Sequence, residues 1–131
     1  IAMQAVMNAE TELGNHPRDV SDDNLGYDIE SFEPQTGRLR FIEVKGRRVG
    51  AKTVTVTRNE ILTGLNEPEQ YILAVVMAKD GDVVETRYIR EPFHMEPDFG
   101  VTSVSYDLER LLRRANPPVD TEAADVPIHS C

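Results

Sequence analysis

The sequence predicts an α/β (α+β mixed) domain, a central mixed β-sheet flanked by helices, with helix–three strands–helix–strand order and an added strand and C-terminal helix. Three observations predict it. Met3, Val6, Met7 and Leu13 recur at helical spacing near the start. Two runs, at about 26–32 and 38–45, alternate with a period of two and flank Glu33-Pro34-Gln35-Thr36-Gly37, a hairpin connection. Tyr71 to Ala78 is unbroken apolar sequence, as expected of a central strand covered on both faces.

Taken in order, residues 2–13 read as a helix, with Gly14 as its C-terminal stop. Glu10 falls on the apolar stripe of that helix. A carboxylate there is costly unless it is paired, metal-bound or at the rim in reach of water. Asn15 to Leu25 is polar, carries Pro17, Asp19, Asp22 and Asp23, and reads as a loop. In the first strand Tyr27 and Ile29 fall on one side, Asp28 and Glu30 on the other. In the second, Ile42 and Val44 face one way, and Phe41, Glu43 and Lys45 the other.

Gly46 and Gly50 bracket a basic turn with Arg47 and Arg48. Lys52 to Thr57 is β-branched and reads as a third strand, completing a meander with the first two. Thr57-Arg58-Asn59-Glu60 has capping-box spacing and starts a helix that runs to about Leu65. Capping is a sufficient reading of Glu60. Arg58 and Asn59 sit in the first turn, where backbone N–H groups can meet a phosphate. Asp80-Gly81 joins the central strand to a further strand, 83–89. Phe93 and Phe99 are expected to pin the irregular segment 91–100 to the core. Ser105 is expected to cap a last helix, 106–115, with Leu108, Leu111 and Leu112 inward and Asn116-Pro117-Pro118 ending it. The domain therefore spans 1–118, and 119–131 reads as a disordered acidic tail.

The 131 residues suit one domain with a sizeable core. The chain opens on Ile1, which reads as a piece of a longer protein. No long apolar stretch or signal-like start is present, so an intracellular setting is expected, cytoplasmic if the source is bacterial. Cys131 is the single cysteine, which excludes an internal disulfide framework. His16, His94 and His129 lack metal-ligand spacing. Net charge is −9, against a generic nucleic-acid coat. Yet Gly37 to Glu60 holds seven bases and two acids, a local +5 that leaves −14 for the rest. The bases include Arg38, Arg40, Lys45, Arg47, Arg48, Lys52 and Arg58. Such a stretch is either a phosphate-facing patch or an ordinary solvated face.

A hairpin would bring Asp28 beside Glu43 and Lys45. Two carboxylates and an ammonium suit a magnesium site with a charged helper, because hard oxygen ligands are what magnesium selects. The bland alternative is a surface hairpin laced with ion pairs.

These features together resemble the PD-(D/E)XK nuclease core, and more closely the NO VEIN C-terminal domain family. The residues that carry the resemblance are Glu10 with Leu13-Gly14, Asp19-Val20-Ser21, Gly26-Tyr27-Asp28-Ile29-Glu30-Ser31, Arg40-Phe41-Ile42-Glu43-Val44-Lys45-Gly46 and Thr57-Arg58-Asn59-Glu60. Ala9 stands where the family often has an aromatic residue. The resemblance implies a metal-dependent nuclease domain of restriction-endonuclease type in a larger helicase, ATPase or defence protein. Asp28, Glu43 and Glu10 would ligate Mg2+ or Mn2+, the Val44 carbonyl would be a further ligand, and Lys45 would be the catalytic cation beside the attacking water. Arg47, Arg48, Lys52, Arg58 and Asn59 would hold the nucleic acid. The implied partners are DNA, with RNA as the alternative, other domains of a parent protein, and a second copy of the chain. The superfamily also contains silent members, so a nucleic-acid-binding or protein-interaction module of the same fold is the competing reading.

Overall fold

The computed structural model describes residues 1–119. Helix α1 (Ala2–Glu12) is followed by β1 (His16–Asp19), a 3-10 turn (Ser21–Asp23), β2 (Ile29–Glu33) and β3 (Arg38–Arg48). Then come β4 (Thr53–Thr57), α2 (Arg58–Asn66), β5 (Tyr71–Lys79), β6 (Asp82–Arg90), β7 (Ser103–Asp107) and α3 (Leu108–Arg113). A five-stranded mixed sheet runs β1-β2-β3-β5-β6, and β4 pairs with β7 in a separate two-stranded sheet. The single parallel pairing among these strands is β3 with β5, reached through β4 and α2; all other neighbours are antiparallel.

The predicted mixed α/β fold is present, with four local differences. The supposed loop after α1 contains β1, a short exposed edge strand that a Pro-bearing polar sequence disguises. The third predicted strand does not extend a meander: β4 leaves the main sheet and pairs with β7. The basic turn at Arg47 and Arg48 is strand, because parallel pairing with β5 carries β3 as far as Arg48 opposite Ala78. Finally, Ser103 to Asp107 is β7, so α3 begins later than expected and is capped by Asp107, whose side chain accepts from the Arg110 N–H. Leu108 and Leu111 are buried as expected and Leu112 packs at the edge. The tail expected over 119–131 lies, from residue 120 onward, outside the described residues.

The sheet has two dissimilar faces. On one, Ile29, Ile42, Ile72, Ala74 and Val76 meet Val6 of α1. On the other, Leu73, Val75 and Met77 meet Val54, Leu108 and Leu111, while Tyr71 meets Val56, Ile61 and Phe93 beneath α2. The alternation along β5 thus serves both layers, which is why its sequence is apolar throughout. Phe93 is buried as predicted, but Phe99 is fully exposed and pins nothing. The β5–β6 connection uses Asp80 and Gly81 at positive φ, the geometry that a two-residue hairpin selects. Helix α2 carries the predicted capping box: the Thr57 hydroxyl accepts from the Glu60 N–H, and the Glu60 carboxylate accepts from the Thr57 N–H.

Candidate active site

Glu43 and Lys45 of β3 meet Glu60 at the N-terminus of α2, and Asp28 bonds the backbone beside them. Asp28 immediately precedes β2, whose register sets Ile29 opposite Ile42. One step outward, the Asp28 N–H donates to the Ile42 carbonyl at 2.9 Å, and its carboxylate accepts the Val44 N–H at 2.9 Å. Strand alternation turns Glu43 and Lys45 onto the α2 side. Lys45 Nζ lies 3.4 Å from Glu43 Oε2 and 2.9 Å from Glu60 Oε1. Gly26 sets the approach. Its φ of +88° suits glycine, and a Cβ there would collide with the Thr63 hydroxyl of α2. Its carbonyl accepts the Tyr71 hydroxyl at 3.1 Å. From this anchor Tyr27 stacks on Phe41, centroids 4.6 Å apart, on the α2 side. Ile29 lies on the α1 side. Tyr27 and Ile29 therefore do not share a side, as an uninterrupted strand would require; regular pairing begins only at Ile29.

Glu43 is almost fully buried. Burial, then the Glu60 and Asp28 carboxylates, push its carboxyl up to about 9, against a downward pull from Lys45. Burial pulls the Lys45 ammonium down, but Glu60 and Glu43 more than offset this and leave it raised. Burial pushes Glu60 up, yet the Thr57 N–H and Lys45 outweigh it and hold the carboxyl below its ordinary range. The Tyr71 phenol is pushed above its usual range by burial and by the field of Glu43, Glu60 and Asp28. The site is therefore short of positive charge: three carboxylates face one ammonium.

Glu10 does not join this cluster. It is fully buried on the opposite face of the sheet, where Arg40 Nε lies 3.1 Å from its Oε1. Tyr88 donates its hydroxyl to Glu10 Oε2 at 2.7 Å and Asn15 its amide to Oε1 at 3.0 Å. Arg40 also bonds Glu33 at 2.9 Å. The expectation that Glu10 faces the same cleft as Asp28 and Glu43 is corrected accordingly. Helix α1 packs on the Ile42 side of β3, so its stripe, with Glu10 on it, faces away from Glu43. The cost of a buried acid is offset by Arg40, Tyr88 and Asn15.

The predicted phosphate-binding residues are dispersed. Arg47 and Arg48 are exposed, but on β3 they point to opposite faces, Arg47 sharing the Lys45 side. Lys52 is exposed before β4. Arg58 is engaged elsewhere: its guanidinium donates to the Pro97 and Asp98 carbonyls at 3.0 and 2.9 Å and lies 3.7 Å from Glu96. It clamps the 91–100 segment to α2. Asn59 is exposed, and its carbonyl accepts the Thr63 hydroxyl.

Glu60 is the site residue that the sequence did not disclose. Its capping box explained it fully, and nothing local signals that the same carboxylate reaches across to Lys45. No group of three or more His, Cys, Asp or Glu side chains suited to hold a metal occurs among the described residues. The donor set still fits Mg2+ by its chemistry. That ion takes oxygen ligands, is held through one or two carboxylates, and keeps waters or substrate phosphates in its other positions. Asp28 and Glu43 offer such a pair.

Among solved structures, one similar fold is the 1.6 Å structure of Archaeoglobus fulgidus Hjc, described as a Holliday junction resolvase from an archaeal hyperthermophile. It is 12% identical, aligns with a TM-score of 0.61, and the match covers 92% of this chain and 98% of that one. At that identity the likeness establishes the fold alone, a mixed sheet flanked by helices that resembles a restriction-endonuclease-like core. No helix among the described residues is long and apolar enough to cross a membrane. No curated protein matches the chain. The family described as protein NO VEIN, C-terminal, matches residues 1–89, from α1 to near the end of β6 and across every residue of the Asp28, Glu43, Lys45 and Glu60 cluster. The chain belongs to the NO VEIN C-terminal family.

Proposed function

We propose that this domain is a metal-dependent nuclease that hydrolyses phosphodiester bonds of nucleic acid, DNA in preference to RNA, within a larger helicase, ATPase or defence protein. The observation that supports the reading is that the Asp28 carboxylate accepts the Val44 N–H, between Glu43 and Lys45 in sequence, while Lys45 Nζ lies 3.4 Å from Glu43. Asp28 and Glu43 would hold Mg2+ or Mn2+, which supplies a Lewis acid and a more acidic bound water. Lys45 would donate to the attacking water or to the phosphate oxygen that gains charge. Arg47 would continue the cationic line from Lys45 along β3 and take a neighbouring phosphate without reading bases. The similarity to a Holliday junction resolvase supports nucleic acid as the partner in general terms.

A silent binding module is the second reading, and one observation favours it. Glu43 is almost fully buried and lies 3.4 Å from the Lys45 ammonium, so a metal must compete for its carboxylate. The test is cleavage of single-stranded, nicked, duplex and four-way-junction DNA and of RNA, with Mg2+ or Mn2+. Asp28→Ala and Glu43→Ala should abolish metal binding and cleavage. Lys45→Ala should lower cleavage by about 10²–10³-fold with metal binding largely retained. Protein that binds DNA but cuts none of these substrates, or cuts equally well as Lys45→Ala, leaves the binding module.

A further inference from the structure

We propose that Glu60 is a positioning residue for Lys45, and that the α2 capping box is the device that aims the lysine. The proposal rests on the nuclease reading for its catalytic consequence and on geometry for the tether itself. Lysine is a flexible side chain with three donors and no preferred direction. Here its ammonium is caught between Glu60 Oε1 at 2.9 Å and Glu43 Oε2 at 3.4 Å. Two donors are thereby occupied, and one is left for a phosphate or water oxygen.

The catch works only because Glu60 is itself fixed. Its Oε1 also accepts the Thr57 N–H at 2.9 Å, and its own N–H donates to the Thr57 hydroxyl at 3.2 Å. The side-chain half of that box needs a carboxylate or amide at the third helical position; the lysine tether needs the negative charge. One residue thus ties the start of α2, a covering element, to the end of β3. Glu60 supplies a third carboxylate facing the site from α2, while the acid of α1 is committed to Arg40 on the other face. A cap alone would leave Lys45 indifferent to Glu60.

Glu60→Gln separates the two roles, because a glutamine oxygen can still accept from the Thr57 N–H. Thr57→Ala is the complementary variant: it removes the hydroxyl half of the cap and leaves the Glu60 carboxylate on the Thr57 N–H and on Lys45. The direct readout is the side-chain ammonium signal of Lys45 by NMR, alongside the denaturation midpoint and single-turnover cleavage with Mn2+. The wild type should show a resolved, slowly exchanging ammonium. Glu60→Gln should keep its midpoint, lose that signal, and cut about 10- to 100-fold more slowly at unchanged KM. Thr57→Ala should lower the midpoint and keep the signal. An ammonium signal indifferent to Glu60→Gln overturns the tether whatever the rate does. Loss of the signal with an undiminished rate overturns its catalytic role. A wild type that shows the Glu60-dependent ammonium but cuts nothing sinks the nuclease reading and supports the tether.

Discussion

The carboxyl of Glu43 sits where burial opposes its charged form. Its ordinary value is 4.5 and burial beside two other carboxylates raises it to about 9. Between those values the folded protein keeps a proton that the unfolded chain has released. The contribution of Glu43 to stability in the metal-free state should therefore be fully present below about 4.5 and fall as pH rises from about 4.5 to about 9. Glu43→Gln removes the titrating group and should raise the denaturation midpoint above wild type at about pH 8, with the gap closing towards about pH 5. Measurements with a chelator present check this; a midpoint gap that does not change with pH would refute it. Arg40 shows the opposite arrangement. It lies between Glu10 and Glu33 with all three buried. Arg40→Ala should cost about 3–5 kcal/mol by stranding two buried carboxylates, measured by denaturant unfolding. The sequence exposed the oddity of Glu10 on an apolar stripe but not its partner. Arg40 looked like one more member of a basic stretch, because which face of β3 receives α1 is decided by packing and not by local pattern.

At the scale of elements, alternation, capping and turn chemistry were legible wherever the cause is local. The capping box at Thr57, the Asp80-Gly81 turn and the two-sided burial of β5 all appear as their residues predict. Pairing between distant segments was not legible. Strands β1 and β4 carry no signal for their partners, and β7 reads as a helix start because Ser105 is a plausible cap. The two junctions that build the site give separate expectations. Thr57→Ala should destabilise by about 1 kcal/mol through the lost cap, read as a shift in denaturant midpoint at unchanged slope. Gly26→Ala should do more, because it combines strained positive φ with a collision against Thr63. It displaces the segment that delivers Asp28, so on the proposed nuclease reading metal affinity should fall together with stability. An alanine variant with wild-type midpoint and metal affinity would show that the turn does not set the Asp28 position.

Across the whole molecule the charge is divided by position. A net −9 is spread over a body whose basic stretch runs through β3. Such a body repels a polyanion at long range and can hold it only where cations converge. The structure sharpens which cations those are. Arg58 is held by the 91–100 segment, and Arg48 leaves β3 on the side away from Lys45. Arg47 is exposed on the Lys45 side. If nucleic acid reaches the site through Lys45, charge reversal at Arg47 should weaken binding more than the same change at Arg48. Binding should also fall steeply with salt, and Arg47→Glu should flatten the slope of log affinity against log salt by about 0.7 to 0.9 for each phosphate that is no longer neutralised. The measurement is a salt titration of DNA binding with Ca2+ in place of Mg2+, so that cleavage does not intervene. Equal effects of Arg47→Glu and Arg48→Glu would mean that the polyanion lies across the end of β3 and not along its site face. An affinity indifferent to salt would remove phosphate binding as the basis of the interaction. Because the acidic remainder opposes the same polyanion, the isolated domain should bind weakly at physiological salt and markedly better at low salt. A parent protein that holds the strand elsewhere would supply the missing attraction by raising its effective concentration at the site.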